Sequence, residues 1–304
     1  MLLHPAAQLS WTQFTVHPST AIGITALGLA YAWRARRGPS ASDRSPVTAA
    51  DASHMSTVRA AAHRDASVAS MGPSAGQRAS FFGSLLLLFL TLNGPLHDLS
   101  DFYLFSAHMV QHLILTLVVP PLMILGTPGW MLRPLLRRRG GFRVARAVTG
   151  VAACFALFNL VLAFWHLPPM YNLALAHHSV HILQHLMFIA ASVLMWWPLT
   201  SPLPELPRAA YPAQMLYCFL MVIPMSVISI YIVMADSALY PAYATAPRVW
   251  GLTPMMDQQY GGLIMWIPGG IFFYAVMTVV FFKWSGRGED DEASAQVGWV
   301  APTA

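Results

Sequence analysis

The chain has few charged side chains and almost no cysteine. Only 10% of its 304 residues are Asp, Glu, Lys or Arg, whereas 56% are hydrophobic. This composition indicates an integral membrane protein. The two cysteines, Cys154 and Cys218, lie far apart and belong to no Cys-x-x-Cys pair. Lone cysteines inside apolar segments are typical of small core residues, so neither a disulfide framework nor a thiolate metal site is expected.

Charge is also missing from the inner halves of the most apolar segments. No Asp, Glu, Lys, Arg or His occurs within residues 113–125, 186–199 or 264–282. Proton-coupled pumps and ion channels need such groups across the membrane. The sequence therefore argues against both classes.

Seven apolar runs are candidates for membrane crossing. A helix needs about 17 to 25 predominantly apolar residues to span a bilayer, and no run shows the alternation of a β-barrel strand. The sequence thus predicts an all-α, polytopic membrane helix bundle with seven transmembrane helices. The predicted spans are residues 18–33, 79–96, 107–125, 145–165, 180–199, 211–234 and 261–283.

Basic residues give the orientation. Sixteen of the 17 Lys and Arg residues fall in alternate loops, so the positive-inside rule predicts an external N-terminus and a cytoplasmic C-terminus. The net charge of +5 then reflects topology and contact with membrane lipid, and no nucleic-acid partner is expected. The predicted regions are 1–33 (external N-terminus and first helix), 34–78 (disordered cytoplasmic loop), 79–284 (six-helix core) and 285–304 (cytoplasmic tail).

Two short segments repeat one another at the start of apolar runs. His108-Met-Val-Gln-His112 and His181-Ile-Leu-Gln-His185 each place two imidazoles on one helix face. Both helices are predicted to begin at the outer surface, so the four rings can meet at one depth. Polar groups in a membrane are costly unless they are paired, buried among helices or bound to a ligand.

Further polar residues are expected in the same outer layer. His166 ends the fourth predicted helix and Asp257 precedes the seventh, so both join the predicted metal-binding set. Imidazole suits copper, zinc and iron, and thioether selects copper(I), so copper(I) is the preferred ion and zinc the second choice. Supporting positions are His97, Asp98, Gln111, Gln184, Gln258, Met255 and Met256, with the glutamines expected to hold ring nitrogens. Other methionines, such as Met221, are expected to be packing residues, and His17 and His178 are expected to be solvated.

Several alternatives remain open at this point. The paired histidines can instead form a buried hydrogen-bonded network with no metal, as in an assembly scaffold. Two helices that each offer histidine can also ligate haem iron axially. A zinc-dependent membrane hydrolase would use three ligands and a carboxylate base such as Asp257. No catalytic string accompanies the histidines, so an enzyme is not expected.

The segment from Leu85 to Lys283 resembles the multi-spanning CtaG family of cytochrome c oxidase assembly factors. The resemblance rests on motifs that occur in order along the chain. Besides the two histidine segments, these are Pro120-Pro121-Leu122 with Gly126-Thr127-Pro128, Trp165-His166-Leu167-Pro168, Trp196-Trp197 and Asp257-Gln258-Gln259 with Gly261-Gly262.

The resemblance implies a multi-pass protein of the bacterial plasma membrane that matures haem-copper oxidase by handling copper. From this we predict oxidase subunit I as the partner and periplasmic copper chaperones as the donors. The resemblance carries the family histidines to His108, His112, His166, His181 and His185, with Asp257 as the acidic partner. Copper captured around His97 and Met255 would then pass to the paired histidines and on to subunit I.

Overall fold

The computed structural model describes residues 14–39, 72–136 and 139–297, with side chains described as far as Gly286. These residues form helices and no strand. The predicted loop 34–78 lies mostly, and the end of the tail wholly, outside the described residues. The helices are α1 (Pro18–Arg37), α2 (Ala75–Thr91), α3 (Gly94–Phe102), α4 (Phe105–Leu113), α5 (Val119–Gly126), α6 (Gly129–Leu136), α7 (Arg139–Val148), α8 (Val151–His166), α9 (Pro168–Ala176), α10 (His178–Thr200), α11 (Tyr211–Val233), α12 (Pro241–Ala244) and α13 (Pro254–Val297), with a π-helical turn, Ile114–Val118, between α4 and α5.

Among the described residues, four helical segments are long and apolar enough to cross a membrane, and two bent helix pairs raise the number to six. The pair α2–α3 bends by 47°, and Gly140–Val148 bends by 73° against α8. Helix α1 has 20 residues but is not among these segments. The seventh span and the orientation of the termini therefore stay predictions. The four unbroken segments are Phe105–Gly126, His178–Thr200, Tyr211–Val233 and Pro254–Gly286.

The outer faces of the helices carry large apolar side chains. Leu160, Val227, Ile271 and Phe282 are between 62% and 67% exposed, and they lie on three different helices. An apolar surface this extensive is unfavourable in water and indicates contact with lipid. The protein is therefore a helical membrane protein.

The first bent pair has a local cause. Gly94 adopts a φ of 69°, a left-handed conformation that favours glycine, and Pro95 follows at the start of α3. The Asn93 side chain, which is fully buried, accepts a hydrogen bond from the His17 backbone N–H at 2.7 Å. The turn between α2 and α3 is thus held by the segment that precedes α1.

A proline and a tryptophan fix the break between α4 and α5. Pro120 lacks the backbone N–H that would donate four residues back, to the Thr116 carbonyl. The indole N–H of Trp196 on α10 donates to that carbonyl at 2.9 Å instead. This hydrogen bond brings the Trp196-Trp197 motif next to the Pro120-Pro121-Leu122 motif. It also connects α10 to the π-helical turn between α4 and α5.

Candidate metal centre

The start of α4 is anchored by a carboxylate from α13. Asp257 accepts hydrogen bonds from the backbone N–H of Phe105 at 2.7 Å and of Ser106 at 3.0 Å, and from the Ser106 hydroxyl. A carboxylate at a helix N-terminus satisfies otherwise unpaired donors and favours the helix dipole. One turn further along α13, a Cβ at Gly261 would overlap the Phe105 ring. Helix α13 therefore lies close against α4 and sets its position.

Four imidazole rings from α4 and α10 lie together in the interior. The ring centroids of His108 and His112 are 4.4 Å apart, and those of His181 and His185 are 4.5 Å apart. Between the helices, His108 lies 6.2 Å from His181 and His112 lies 5.7 Å from His185. All four residues are at most 8% exposed. We call these four residues the histidine cluster. Their pairing agrees with two helices that run in the same direction.

The histidine cluster carries buried ring nitrogens that have no hydrogen-bond partner among the described residues. They are the Nε2 atoms of all four histidines and also Nδ1 of His108. Each buried polar atom left unpaired costs about 1–3 kcal/mol. Two rings bound to one ion have centroids about 4.5–6.5 Å apart, because the metal–nitrogen bonds are about 2.0–2.1 Å long. The donor chemistry and the spacing therefore fit a bound cation.

The ring nitrogens do not yet converge on one point. Among the described residues, no group of three or more His, Cys, Asp or Glu side chains is arranged to hold a metal ion. Binding would require the rings to turn about their side-chain torsions. Metal binding at this cluster is therefore not shown by the geometry alone.

Asp101, a residue that the sequence analysis missed, lies at the edge of the cluster. Its carboxylate is 3.3 Å from Nδ1 of His181, 3.4 Å from Nε2 of His97 and 4.0 Å from Nδ1 of His108. A histidine that ligates metal commonly donates its other N–H to a carboxylate, which fixes the ring. His181 has this arrangement, because its Nδ1 lies toward Asp101 and its Nε2 has no hydrogen-bond partner in the described ranges. The sequence could have indicated this role, because His97 and Asp101 are four residues apart and therefore lie on one face of α3.

Gln111 holds the ring of His97. Its Nε2 donates to the Thr91 carbonyl at 2.8 Å and lies 3.1 Å from Nδ1 of His97, while its Oε1 accepts from the Ser100 hydroxyl. The Thr91 carbonyl can only accept, so the Gln111 amide must point its NH2 group toward it. The same NH2 group faces Nδ1 of His97, which must therefore accept a hydrogen bond as well. The proton of His97 is then on Nε2, toward Asp101. Both nitrogens of His97 are thus in use, and His97 supports the cluster.

His166 lies beside the histidine cluster and is not one of its four rings. Its Nδ1 is 2.7 Å from the Leu162 carbonyl, and its buried Nε2 has no hydrogen-bond partner among the described residues. It lines a cavity of about 30 Å³ together with His112. The structure therefore brings His166 near one member of the cluster, on the side of the cavity.

The other predicted residues have separate environments. Both oxygens of Asp257 accept hydrogen bonds at the start of α4, Asp98 accepts from the Thr15 hydroxyl at 3.1 Å, and Gln258 bonds to backbone groups of the segment 232–239. Gln184 is buried, and its Oε1 has no hydrogen-bond partner within the part of the chain that the structure describes. Met255 is half-buried, and Met256 is 40% exposed. A ligand role for Asp257 stays a prediction, while its anchoring role is evident.

His17 is less solvated than the sequence suggested. Its ring meets the His97 ring edge-on at 4.5 Å and lies 6.3 Å from His178, which is exposed as expected. Burial, with a further contribution from His97, lowers the pKa of His17. The neutral ring is therefore favoured near pH 7. The segment before α1 thus packs against His97, a contact that the sequence analysis did not predict.

Fold and site together define a helical membrane protein with buried imidazoles gathered between its helices. The comparison with protein families then assigns the chain: it belongs to the cytochrome c oxidase caa3 assembly factor family (Caa3_CtaG), whose profile matches residues 55–287. This confirms the resemblance to the CtaG family and makes an oxidase the general partner. No curated protein and no solved structure matched the chain.

Proposed function

We propose that this protein binds copper(I) at the histidine cluster and supplies it to a haem-copper cytochrome c oxidase during assembly. The observation that supports this proposal is the set of unpartnered ring nitrogens on His108, His112, His181 and His185. Groups buried among membrane helices without partners are costly. A cation bound between the rings would remove that cost.

Copper(I) suits this environment better than zinc. Imidazole accepts both ions, but transferring a divalent charge into a low-dielectric interior costs more than transferring a single charge. Asp101 is the carboxylate that contacts the rings, so one monovalent cation would leave the site close to neutral. Cys154 and Cys218 are buried thiols far along the chain from the cluster and are not needed as ligands.

The same proposal covers location and partner. In the predicted orientation, in a bacterial plasma membrane, the cluster lies in the outer leaflet. Copper would arrive from periplasmic copper chaperones and pass laterally to oxidase subunit I by exchange of ligands. The protein would act as a metal-handling chaperone without catalysing a reaction.

Elemental analysis of the purified protein under reducing conditions tests the proposal. We expect bound copper. Bound zinc would instead favour a zinc-dependent membrane hydrolase, and haem iron would favour a haem-binding protein. The double variant His108→Ala/His185→Ala should bind less copper than the wild type and lower the copper content of the oxidase. His177→Ala, an exposed histidine outside the cluster, is the matched control. Unchanged copper in both the double variant and the oxidase would overturn the proposal.

A further inference from the structure

The cavity beside His112 differs in chemistry from the histidine cluster. It lies between α4, the π-helical turn, α8, α10, α11 and α13 and has a volume of about 30 Å³. Such a volume accommodates about one or two water-sized bodies. Its lining is mostly apolar, with two imidazoles and four thioethers. These six residues are His112, His166, Met109, Met221, Met225 and Met265.

Both imidazoles have a nitrogen without a partner. His112 and His166 are 6% and 5% exposed, and Nε2 of each is buried with no hydrogen-bond partner among the described residues. The Nδ1 of His166 lies 2.7 Å from the Leu162 carbonyl, which fixes the ring and leaves Nε2 free. A metal-binding histidine commonly binds the metal ion through one ring nitrogen and donates its other ring N–H to a backbone carbonyl.

The thioethers come from three helices, and the fold makes room for one of them. A Cβ on Gly269 would lie 2.9 Å from both the sulfur and the methyl carbon of Met225. The missing side chain at Gly269 therefore admits the Met225 thioether between α11 and α13. Met221 is held differently, because the Asn159 amide donates to its sulfur at 3.6 Å. Met225 is thus better placed than Met221 as a sulfur ligand, and Met265 brings a second thioether to the cavity from α13.

The geometry points to a second copper(I) site in this cavity, with His112 and His166 as nitrogen ligands and the thioethers of Met225 and Met265 as sulfur ligands. The inference rests on the proposed copper binding. It adds a site with soft thioether ligands next to the histidine cluster. Thioether selects copper(I) over zinc and copper(II), whereas it is only a weak hydrogen-bond acceptor for water. Because His112 belongs to both sites, copper(I) can exchange ligands between them without a change of oxidation state.

X-ray absorption spectroscopy of the full chain, loaded to saturation with copper(I) without oxygen, tests this site. The wild-type spectrum should contain a copper–sulfur shell in addition to copper–nitrogen scattering. The double variant Met225→Leu/Met265→Leu should lose the sulfur shell and keep the nitrogen scattering. Met195→Leu, a fully buried methionine on α10 that does not line the cavity, should keep both.

The possible outcomes separate this site from the proposed function. Copper bound through nitrogen alone in the wild type would overturn the second site and leave the histidine cluster in place; the cavity would then hold water only. A sulfur shell that persists in the double variant would also overturn it. A wild-type protein that binds no copper would overturn both proposals. Because the wild-type spectrum already decides, the test does not depend on how well the variants fold.

Discussion

The carboxylate of Asp101 lies 3.3 Å from Nδ1 of His181, although the two residues are on α3 and α10. Nε2 of the same ring is buried without a hydrogen-bond partner among the described residues. Asp101 therefore determines which nitrogen of His181 is available inside the cluster. This contact gives an acidic residue that the sequence analysis overlooked a positioning role at the proposed metal site.

Replacing Asp101 by Asn should weaken copper(I) binding about 10- to 100-fold, the usual effect of removing a carboxylate that orients a metal-binding histidine. Competition with a chromophoric copper(I) chelator measures the affinity. Asp98→Asn is the matched control, because Asp98 lies on the same helix and bonds to Thr15. Equal losses in both variants would contradict a specific role for Asp101.

Asp257→Asn should lower the free energy of unfolding by about 1–3 kcal/mol, because Asn offers fewer acceptors to the first turn of α4. Copper affinity of the folded variant should change little, since Asp257 uses both oxygens at Phe105 and Ser106. Thermal unfolding in detergent measures the first effect, and chelator competition measures the second. The exposed Asp236→Asn serves as control. Complete loss of copper from a stable Asp257→Asn protein would instead indicate a ligand.

The hydrogen bond from Trp196 to the Thr116 carbonyl should be coupled energetically to Pro120. Trp196→Phe leaves that carbonyl unpaired and should cost about 1–3 kcal/mol. In a Pro120→Ala background the restored N–H can donate to the same carbonyl, so the cost should fall by about 1 kcal/mol or more. A double-mutant cycle on unfolding free energies measures the difference.

Trp197→Phe provides the matched control for that cycle. The Trp197 indole donates to the Leu206 carbonyl at 3.2 Å, away from Pro120. Its effect should add to that of Pro120→Ala within about 0.5 kcal/mol, as for independent sites. If the effects of Trp196→Phe and Pro120→Ala on the unfolding free energy were additive, Pro120 would not be the reason that the Thr116 carbonyl requires the Trp196 indole.

Hydrophobic runs predicted the long helices well. The predicted spans 107–125, 180–199 and 211–234 agree within two residues with Phe105–Gly126, His178–Thr200 and Tyr211–Val233. The runs 79–96 and 145–165 were each predicted as one straight span, but the helices there are bent. Continuous apolar sequence does not indicate where a helix is interrupted. The bend after Asn93 depends on the φ of Gly94 and on contacts with the segment before α1, which come from tertiary structure.

The candidate site was predictable where one helix carries both residues of a pair. Spacing of four residues correctly predicted that His108 faces His112 and that His181 faces His185. Contacts between helices were harder to foresee. His166 was expected among the other rings and lies by the cavity, and Asp257 was expected beside the imidazoles and anchors α4. Met221, expected to be simple packing, lines the cavity, because the inner face of α11 depends on how α8 and α13 pack.

Binding of copper(I) should stabilise the folded protein, because an ion held by residues of several helices binds the folded state and not the separated helices. At a free copper(I) concentration of about 100 times the dissociation constant, the gain is about 2.7 kcal/mol. Thermal unfolding under reducing conditions should therefore move to higher temperature on loading and return when a copper(I) chelator is added. His181→Ala/His185→Ala should reduce the shift, since it removes half of the histidine cluster and leaves the cavity site, whereas His177→Ala should keep the full shift. An equal shift in the double variant would mean that copper(I) stabilises the protein from elsewhere, because no imidazole of α10 would remain in the cluster to hold it.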